Sequence, residues 1–128
     1  MSPLPQPAFL PVVVIVDDDA AVCNSLKFLL ELDGFVVRAY CGAREFLDAG
    51  DPRSCHCLIV DQNMPVMTGM ELIATLRQRK IFTPAILVTG RPSAALSARA
   101  ASAAIPVVEK PLLGNALLER LRETCRQG

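Results

Sequence analysis

The stretch Val12-Val13-Val14-Ile15-Val16-Asp17-Asp18-Asp19 decides the fold. Five consecutive β-branched residues suit a strand that is buried on both faces, because neither alternating set of side chains tolerates water. Three carboxylates then end the run. Downstream, Val22, Leu26, Leu29, Leu30 and Asp33 recur at helical spacing, and Gly34 supplies the stop. Upstream, Pro3, Pro5, Pro7 and Pro11 mark residues 1–11 as a flexible or extended leader outside the core.

The same strand–helix unit repeats along the chain. Residues 35–40 read as a strand and 42–49 as a short helix. Residues 58–61 form another apolar strand, extendable backward through 55–57. The spacing predicts a helix over 69–80 with Met70, Leu72, Ile73 and Leu76 turned inward. A buried strand follows at Ala85–Thr89, then an Ala-rich helix over 93–104. A short strand at Val107–Glu109 precedes a last helix over 115–126, with Leu117, Leu118, Leu121 and Cys125 on one face. Five strands alternating with five helices imply an α/β fold: a parallel sheet covered on both faces. Periodicity leaves the strand order open.

With 128 residues there is room for one domain and no second. Hydrophobic residues make up 52% of the chain, which forms a core and excludes general disorder. Thirteen basic side chains balance thirteen acidic ones, so no global basic field gathers nucleic acid or anionic lipid. The apolar run at 9–16 is too short to span a bilayer and lacks the basic flank of a signal peptide. Five cysteines cannot all pair within one chain, and without an export signal they read as reduced, cytoplasmic thiols. In Cys55-His56-Cys57 a strand would point the thiols one way and the imidazole the other, so the three do not read as metal ligands. Cys41 and Cys125 are redox candidates only if exposed. Arg77, Arg79 and Lys80 read as a solvated helix end.

Polar residues stand at the carboxyl ends of the apolar strands, where a core has no use for them. They are Asp17, Asp18 and Asp19 after the first strand, Asp61 after the third, Thr89 after the fourth and Lys110 after the fifth. A parallel sheet brings these ends to one edge, where open α/β folds bind ligands. Two carboxylates ~4 Å apart repel by about 4 kcal/mol at an effective dielectric near 20. A cluster of them either titrates at raised pH or holds a cation. Lys110 brings one positive charge, and oxygen-only ligands favour a hard divalent ion such as Mg²⁺ for the rest. A carboxylate beside Mg²⁺, an ammonium and a hydroxyl is equipped to attack a phosphoryl group and become an aspartyl phosphate. Singly, the plainer readings are a helix cap at 17–19, a turn former at Asp61 and a solvated Lys110. Asp19 has the type and position of an N-cap.

These residues sit in motifs that resemble the receiver domain of two-component response regulators. The matching pieces are V-D-D-D at 16–19, S-L-K-F-L-L-E at 25–31, G-F-V-V at 34–37, C-L-I-V-D-Q-N-M-P-V-M-T-G-M-E-L at 57–72, I-L-V-T-G at 86–90 and E-K-P-L at 109–112. They cover about residues 12–125, and the D-Q-N-M-P-x-M-T-G-M-E-L piece most resembles the FixJ-type subgroup. The resemblance implies a flavodoxin-like sheet of order 2-1-3-4-5, with the site between strands one and three. It implies Asp61 as phosphoacceptor, with Mg²⁺ held by Asp18, by Asp17 mostly through water, by Asp61 and by the carbonyl of Asn63. It implies that Thr89 and Lys110 contact the phosphoryl group, and that the Lys110–Pro111 bond is cis. The resemblance further implies that Asn63 and Arg91 occupy the positions that tune loss of the phosphoryl group.

The sequence also departs from the family. Val107 stands where Tyr or Phe is usual, three residues before the Lys, and Ser102-Ala103-Ala104 replaces the usual Ala-Gly-Ala. The residues that the resemblance assigns to phosphorylation are all present, whereas the aromatic partner it implies for Thr89 is replaced by Val107. Seven of residues 94–104 are Ala, on a face the family uses for output and dimers, so a homodimer through the 93–104 helix is one expectation. The implied partners are a histidine kinase or phosphotransfer protein and a downstream effector protein. The chain reads as a signalling module at 12–128, not an enzyme. Ending at Gly128, directly after the last helix, it is expected to be a stand-alone receiver with no DNA-binding output. One alternative is the receiver half of a truncated DNA-binding transcriptional regulator. Another is a haloacid-dehalogenase-like phosphatase using Asp17 as nucleophile. Against the phosphatase, no acidic pair follows Lys110.

Overall fold

In a computed structural model, which describes residues 11–112 and 115–127, the elements follow the alternation expected. They are β1 (Val12–Val16), α1 (Ala20–Leu32), β2 (Val36–Tyr40), α2 (Ala43–Ala49), β3 (Cys57–Asp61), α3 (Gly69–Gln78), β4 (Ala85–Thr89), α4 (Ala94–Ser102), β5 (Val107–Glu109) and α5 (Ala116–Gln127). A single 3-10 turn at Pro52–Ser54 leads into β3. Every strand pairing is parallel, and the order is β2-β1-β3-β4-β5. The Pro-rich leader expected over 1–11 lies outside the described residues except for Pro11. The Pro11 carbonyl accepts from the Val36 N–H at 2.9 Å and so extends the β1–β2 ladder.

The apolar runs are continuous because each central strand feeds two cores. Val14, Val16, Leu58, Val60 and Leu87 pack with Phe46, Leu72, Ile73, Leu76 and Leu96, under α2, α3 and α4. Val13, Ile15, Cys57, Ile59, Ile86 and Val88 pack with Cys23, Leu26, Leu30, Leu117 and Leu121, under α1 and α5. Neighbouring residues of one strand alternate between these clusters, as the strand period of two requires.

Helix ends are set by local chemistry. Asp19 caps α1, its Oδ1 accepting from the N–H groups of Ala21 and Val22. Thr68 and Glu71 form a reciprocal capping box at α3. α1, α3 and α4 all end in the same way. A left-handed residue (Gly34, Lys80 and Ala104) donates its N–H three back, and the next residue donates five back onto Leu30, Leu76 and Ala100.

Three expectations change. Leu29 does not face the core and is 52% exposed, while Cys23 takes the inward place one turn before Leu26. A thiol packs as a small hydrophobe, so Cys23, Leu26 and Leu30 complete the buried stripe without Leu29. Arg77 is not a solvated helix end. Its guanidinium donates to the Ile81 carbonyl at 3.0 Å, and burial lowers its pKa. Cys55 precedes β3 rather than lying in it, and His56 is bound at the foot of the sheet. The His56 N–H donates to the Val12 carbonyl, and Nδ1 accepts the Val12 N–H at 2.9 Å. Burial pushes the Cys55 thiol up to about 11 and raises Cys57 further. Both thiols are packed, but because Cys55 lies outside the strand they enter opposite cores, Cys55 under α2, α3 and α4 and Cys57 under α1 and α5, rather than facing one way.

Candidate functional site

β1 and β3 are neighbours at the centre of the sheet, while their crossovers run to opposite sides. The carboxyl edge between them is therefore the switch point where a crevice opens. Asp17 follows β1, Asp61 ends β3, Thr89 ends β4 and Lys110 follows β5. The Lys110 N–H donates to the Thr89 carbonyl at 2.8 Å, which fixes the root of the lysine beside β4. Asp17, Asp18, Asp19, Asp61, Asn63, Gly90, Arg91 and Lys110 line one open cleft.

Asp17 and Asp61 are each only 4% exposed, and Thr89 is fully buried. Lys110 Nζ lies 3.2 Å from Asp17 Oδ2 and 3.3 Å from Asp61 Oδ1, so one ammonium bridges two carboxylates. Asp17 Oδ1 accepts the Asp19 N–H at 2.9 Å, which engages both oxygens of Asp17. The polar contacts of Asp61 fall on Oδ1 alone, from Lys110 and from the Asn63 N–H at 3.3 Å. Among the described residues no hydrogen bond or ion pair is made to Asp61 Oδ2. The Thr89 hydroxyl accepts from the Arg91 N–H at 3.0 Å and from the Asn63 side-chain amide at 3.3 Å.

The charges are unequal. Burial is the main force raising the Asp17 pKa, with the Asp61 charge adding to it. The Asp19 N–H and Lys110 pull the other way and do not compensate. Burial alone would lower the Lys110 pKa, but attraction to Asp17 and Asp61 outweighs it and the net shift is upward. Lys110 stays charged, and the site still carries excess negative charge.

Each of Asp17, Asp18 and Asp61 offers a carboxylate oxygen within 4.8 Å of the other two. Asp18 is exposed, so the cluster opens to solvent on one side. The donors are all oxygen, with no imidazole or thiolate in the set, which fits a hard, partly hydrated divalent cation. Asp17, Asp18, Asp61, Asn63, Thr89 and Lys110 all lie at this edge, and the Lys110–Pro111 bond is cis. Asp19 faces the cleft too, but its side chain is spent on the helix cap. Two residues had no assigned role. Gln62 accepts the Met70 N–H on Oε1 at 2.9 Å, joining β3 to α3. Gly69 lies so close that a Cβ there would meet the Asp61 carbonyl oxygen at 2.6 Å. A glycine opening a helix was the available signal for the second, whereas nothing marked the first.

A 2-1-3-4-5 parallel sheet with an acidic crevice at its switch point defines the class of CheY-like, flavodoxin-fold α/β proteins. Within that class the family model for the response regulator receiver domain matches residues 13–122, and the chain belongs to that family. It is 39% identical over 118 residues to the transcriptional regulatory protein FixJ of Azorhizobium caulinodans, covering 91% of this chain and 56% of that protein. It is 33% identical over 116 residues to FixJ of Bradyrhizobium diazoefficiens, covering 90% of this chain and 57% of that protein. The chain thus spans about half the length of these relatives. It superposes on a crystal structure of FixJ-N with a TM-score of 0.82 at 31% identity, over 92% of this chain and 95% of that one. The Vibrio cholerae chemotaxis protein CheY4 matches with a TM-score of 0.81 at 26% identity, over 91% of this chain and 99% of that one. The chain is a FixJ-type receiver, a signalling domain whose family implies a histidine kinase partner and downstream effectors. No helix among the described residues is long and apolar enough to cross a membrane.

Proposed function

We propose that this receiver takes a phosphoryl group on Asp61 from the phosphohistidine of a histidine kinase or phosphotransfer protein, with Mg²⁺ as cofactor. The observation that carries the assignment is the asymmetry of the carboxylates. Both oxygens of Asp17 are engaged, whereas the contacts of Asp61 leave Oδ2 for attack. In the step, Asp61 Oδ2 forms a bond to phosphorus as the P–N bond breaks, and the electron pair returns to the imidazole. Asp17, Asp18, Asp61 and the Asn63 carbonyl would hold Mg²⁺, which when bound supplies positive charge to the phosphoryl oxygens. Lys110, held by both carboxylates, brings a second charge to the same oxygens. Thr89, whose oxygen accepts from Asn63 and Arg91, keeps its hydroxyl proton to donate to the phosphoryl group.

The receiver unit is taken as 12–128, with residues 1–11 preceding it. Its output is a downstream protein, with a homodimer through the α4 face as one form of it. Five free cysteines suit a reducing cytoplasm. Asp17 as a phosphatase nucleophile is disfavoured by its two engaged oxygens.

The experiment is phosphorylation by acetyl phosphate with Mg²⁺, followed by mapping of the modified residue. Label on Asp61 that disappears in Asp61→Asn is the expected result. Label on Asp17 with steady turnover, or no label from any donor including candidate kinases, overturns the assignment.

A further inference from the structure

α3 begins with four backbone N–H groups that have no partner inside the helix. The capping box satisfies two of them: the Thr68 hydroxyl takes the Glu71 N–H and the Glu71 carboxylate takes the Thr68 N–H. Gln62 satisfies the other two, its carbonyl accepting from Gly69 and its side-chain Oε1 from Met70. The Gln62 N–H meanwhile donates to the Val88 carbonyl at 2.9 Å, prolonging the β3–β4 ladder by one residue past Asp61. One residue, directly after the proposed phosphoacceptor, therefore ties β4, β3 and the start of α3 together.

The helix does not need this reach in order to start, because Thr68 and Glu71 already form a complete capping box. What the reach adds is closure of the loop between Gln62 and Gly69. That loop begins with Asn63, whose backbone N–H bonds Asp61 Oδ1 and whose amide bonds Thr89. The close seat of Gly69 on the Asp61 carbonyl brings the closing helix against the same peptide.

We infer that Gln62 is a positioning residue: through its Oε1 bond to Met70 it holds the Asn63 loop in the geometry that binds the metal. The inference rests on the proposed function. Groups that orient metal ligands from behind change metal affinity by about 10–100-fold when removed. Gln62→Met keeps the side chain's length and removes the acceptor. It is expected to weaken Mg²⁺ binding about 10-fold by isothermal titration, with the wild-type rate of acetyl phosphate labelling recovered at saturating Mg²⁺. In the same variant the Met70 amide loses hydrogen-exchange protection, whereas Gln62→Glu, which keeps an acceptor, retains it. Thr68→Ala is the control for a merely structural effect. It removes the local cap of the same helix, lowers Tm, and leaves Mg²⁺ affinity unchanged. Wild-type Mg²⁺ affinity in Gln62→Met, or an equal loss in Thr68→Ala, overturns the inference while the proposed function stands. A wild-type protein that neither binds millimolar Mg²⁺ nor takes label on Asp61 overturns both.

Discussion

Asp17 is the residue whose state depends most on what occupies the crevice. Its folded pKa lies above the ordinary 3.8, mainly because the carboxylate is buried and then because Asp61 faces it. In the window above 3.8 the unfolded chain has lost a proton that folded Asp17 still holds. Stability contributed by this group therefore falls as pH rises through the window, and stays low at neutral pH. Lys110 has the opposite sign. Its raised pKa contributes stability that is complete at neutral pH and is lost only as pH climbs through that raised value, above the ordinary 10.5. Asp17→Asn, without Mg²⁺ at pH 7, is thus expected to be more stable than wild type, on the order of 1 kcal/mol or about 4 °C in Tm. The advantage shrinks as pH falls and wild-type Asp17 protonates. Added Mg²⁺ reverses the order, because ligand that binds only the folded state stabilises wild type and not the variant. Thermal unfolding followed by circular dichroism at several pH values, with and without Mg²⁺, measures all three effects.

Among the elements, the helix ends divide into positions that need glycine and positions that lack it. Gly69 has no spare room, since a Cβ would meet the Asp61 carbonyl oxygen at 2.6 Å and Leu87 Cδ1 at 2.7 Å. Gly69→Ala gains about 1 kcal/mol of helix propensity, but it forces α3 off β3 and is expected to cost about 1–3 kcal/mol net. Ala104 is the converse, a non-glycine residue at φ 56 ending α4. Relieving it with Ala104→Gly is expected to stabilise by about 0.5–1 kcal/mol. Urea midpoints of the two variants should move in opposite directions from wild type. These sites also mark what the sequence could reveal. The central strands were legible because short apolar runs such as Val12–Val16 admit few alternatives, and the site because Asp17, Asp61 and Thr89 stand at the carboxyl ends of such runs, with Lys110 just past the last strand. The end of α1 was legible at Gly34. Lys80 and Ala104 adopt the same left-handed turn without the residue that signals it, because Ile81 and Ile105 are buried immediately beyond and hold the turn. The inward place of Cys23 was hidden by its chemistry and the exposure of Leu29 by its hydrophobicity. Gln62 was hidden because its partner, Met70, is eight residues away and contributes only a backbone N–H.

For the whole molecule, the sheet separates a site edge from the faces that would report its state, and α4 is the proposed face for a second copy. α4 has nine residues, so it is about 14 Å long and presents roughly 140 Å². A stable interface buries about 800 Å² on each partner. The Ala-rich helix alone therefore cannot hold a dimer, and its neighbours must contribute. β5 is a poor candidate for strand addition, because it has three residues and Pro106 before it has no N–H to offer. Val107, which packs against the core beneath α4, has no ring to move into the interface. That leaves the exposed side of α5, where Glu119, Arg120 and Glu123 stand out and Arg120 pairs with Glu123 at 3.4 Å. A small apolar centre with a charged margin gives a weak, salt-sensitive association. The phosphorylated protein is accordingly expected to dimerise reversibly, with Kd on the order of 10 µM or weaker. Raising salt from about 0.05 M to about 0.5 M should loosen it several-fold. Ala98→Glu, on the exposed side of α4, should abolish it without altering label uptake on Asp61. Sedimentation velocity with acetyl phosphate and Mg²⁺ reads the association directly. A tight dimer indifferent to both salt and Ala98→Glu would mean that the two copies meet on another face.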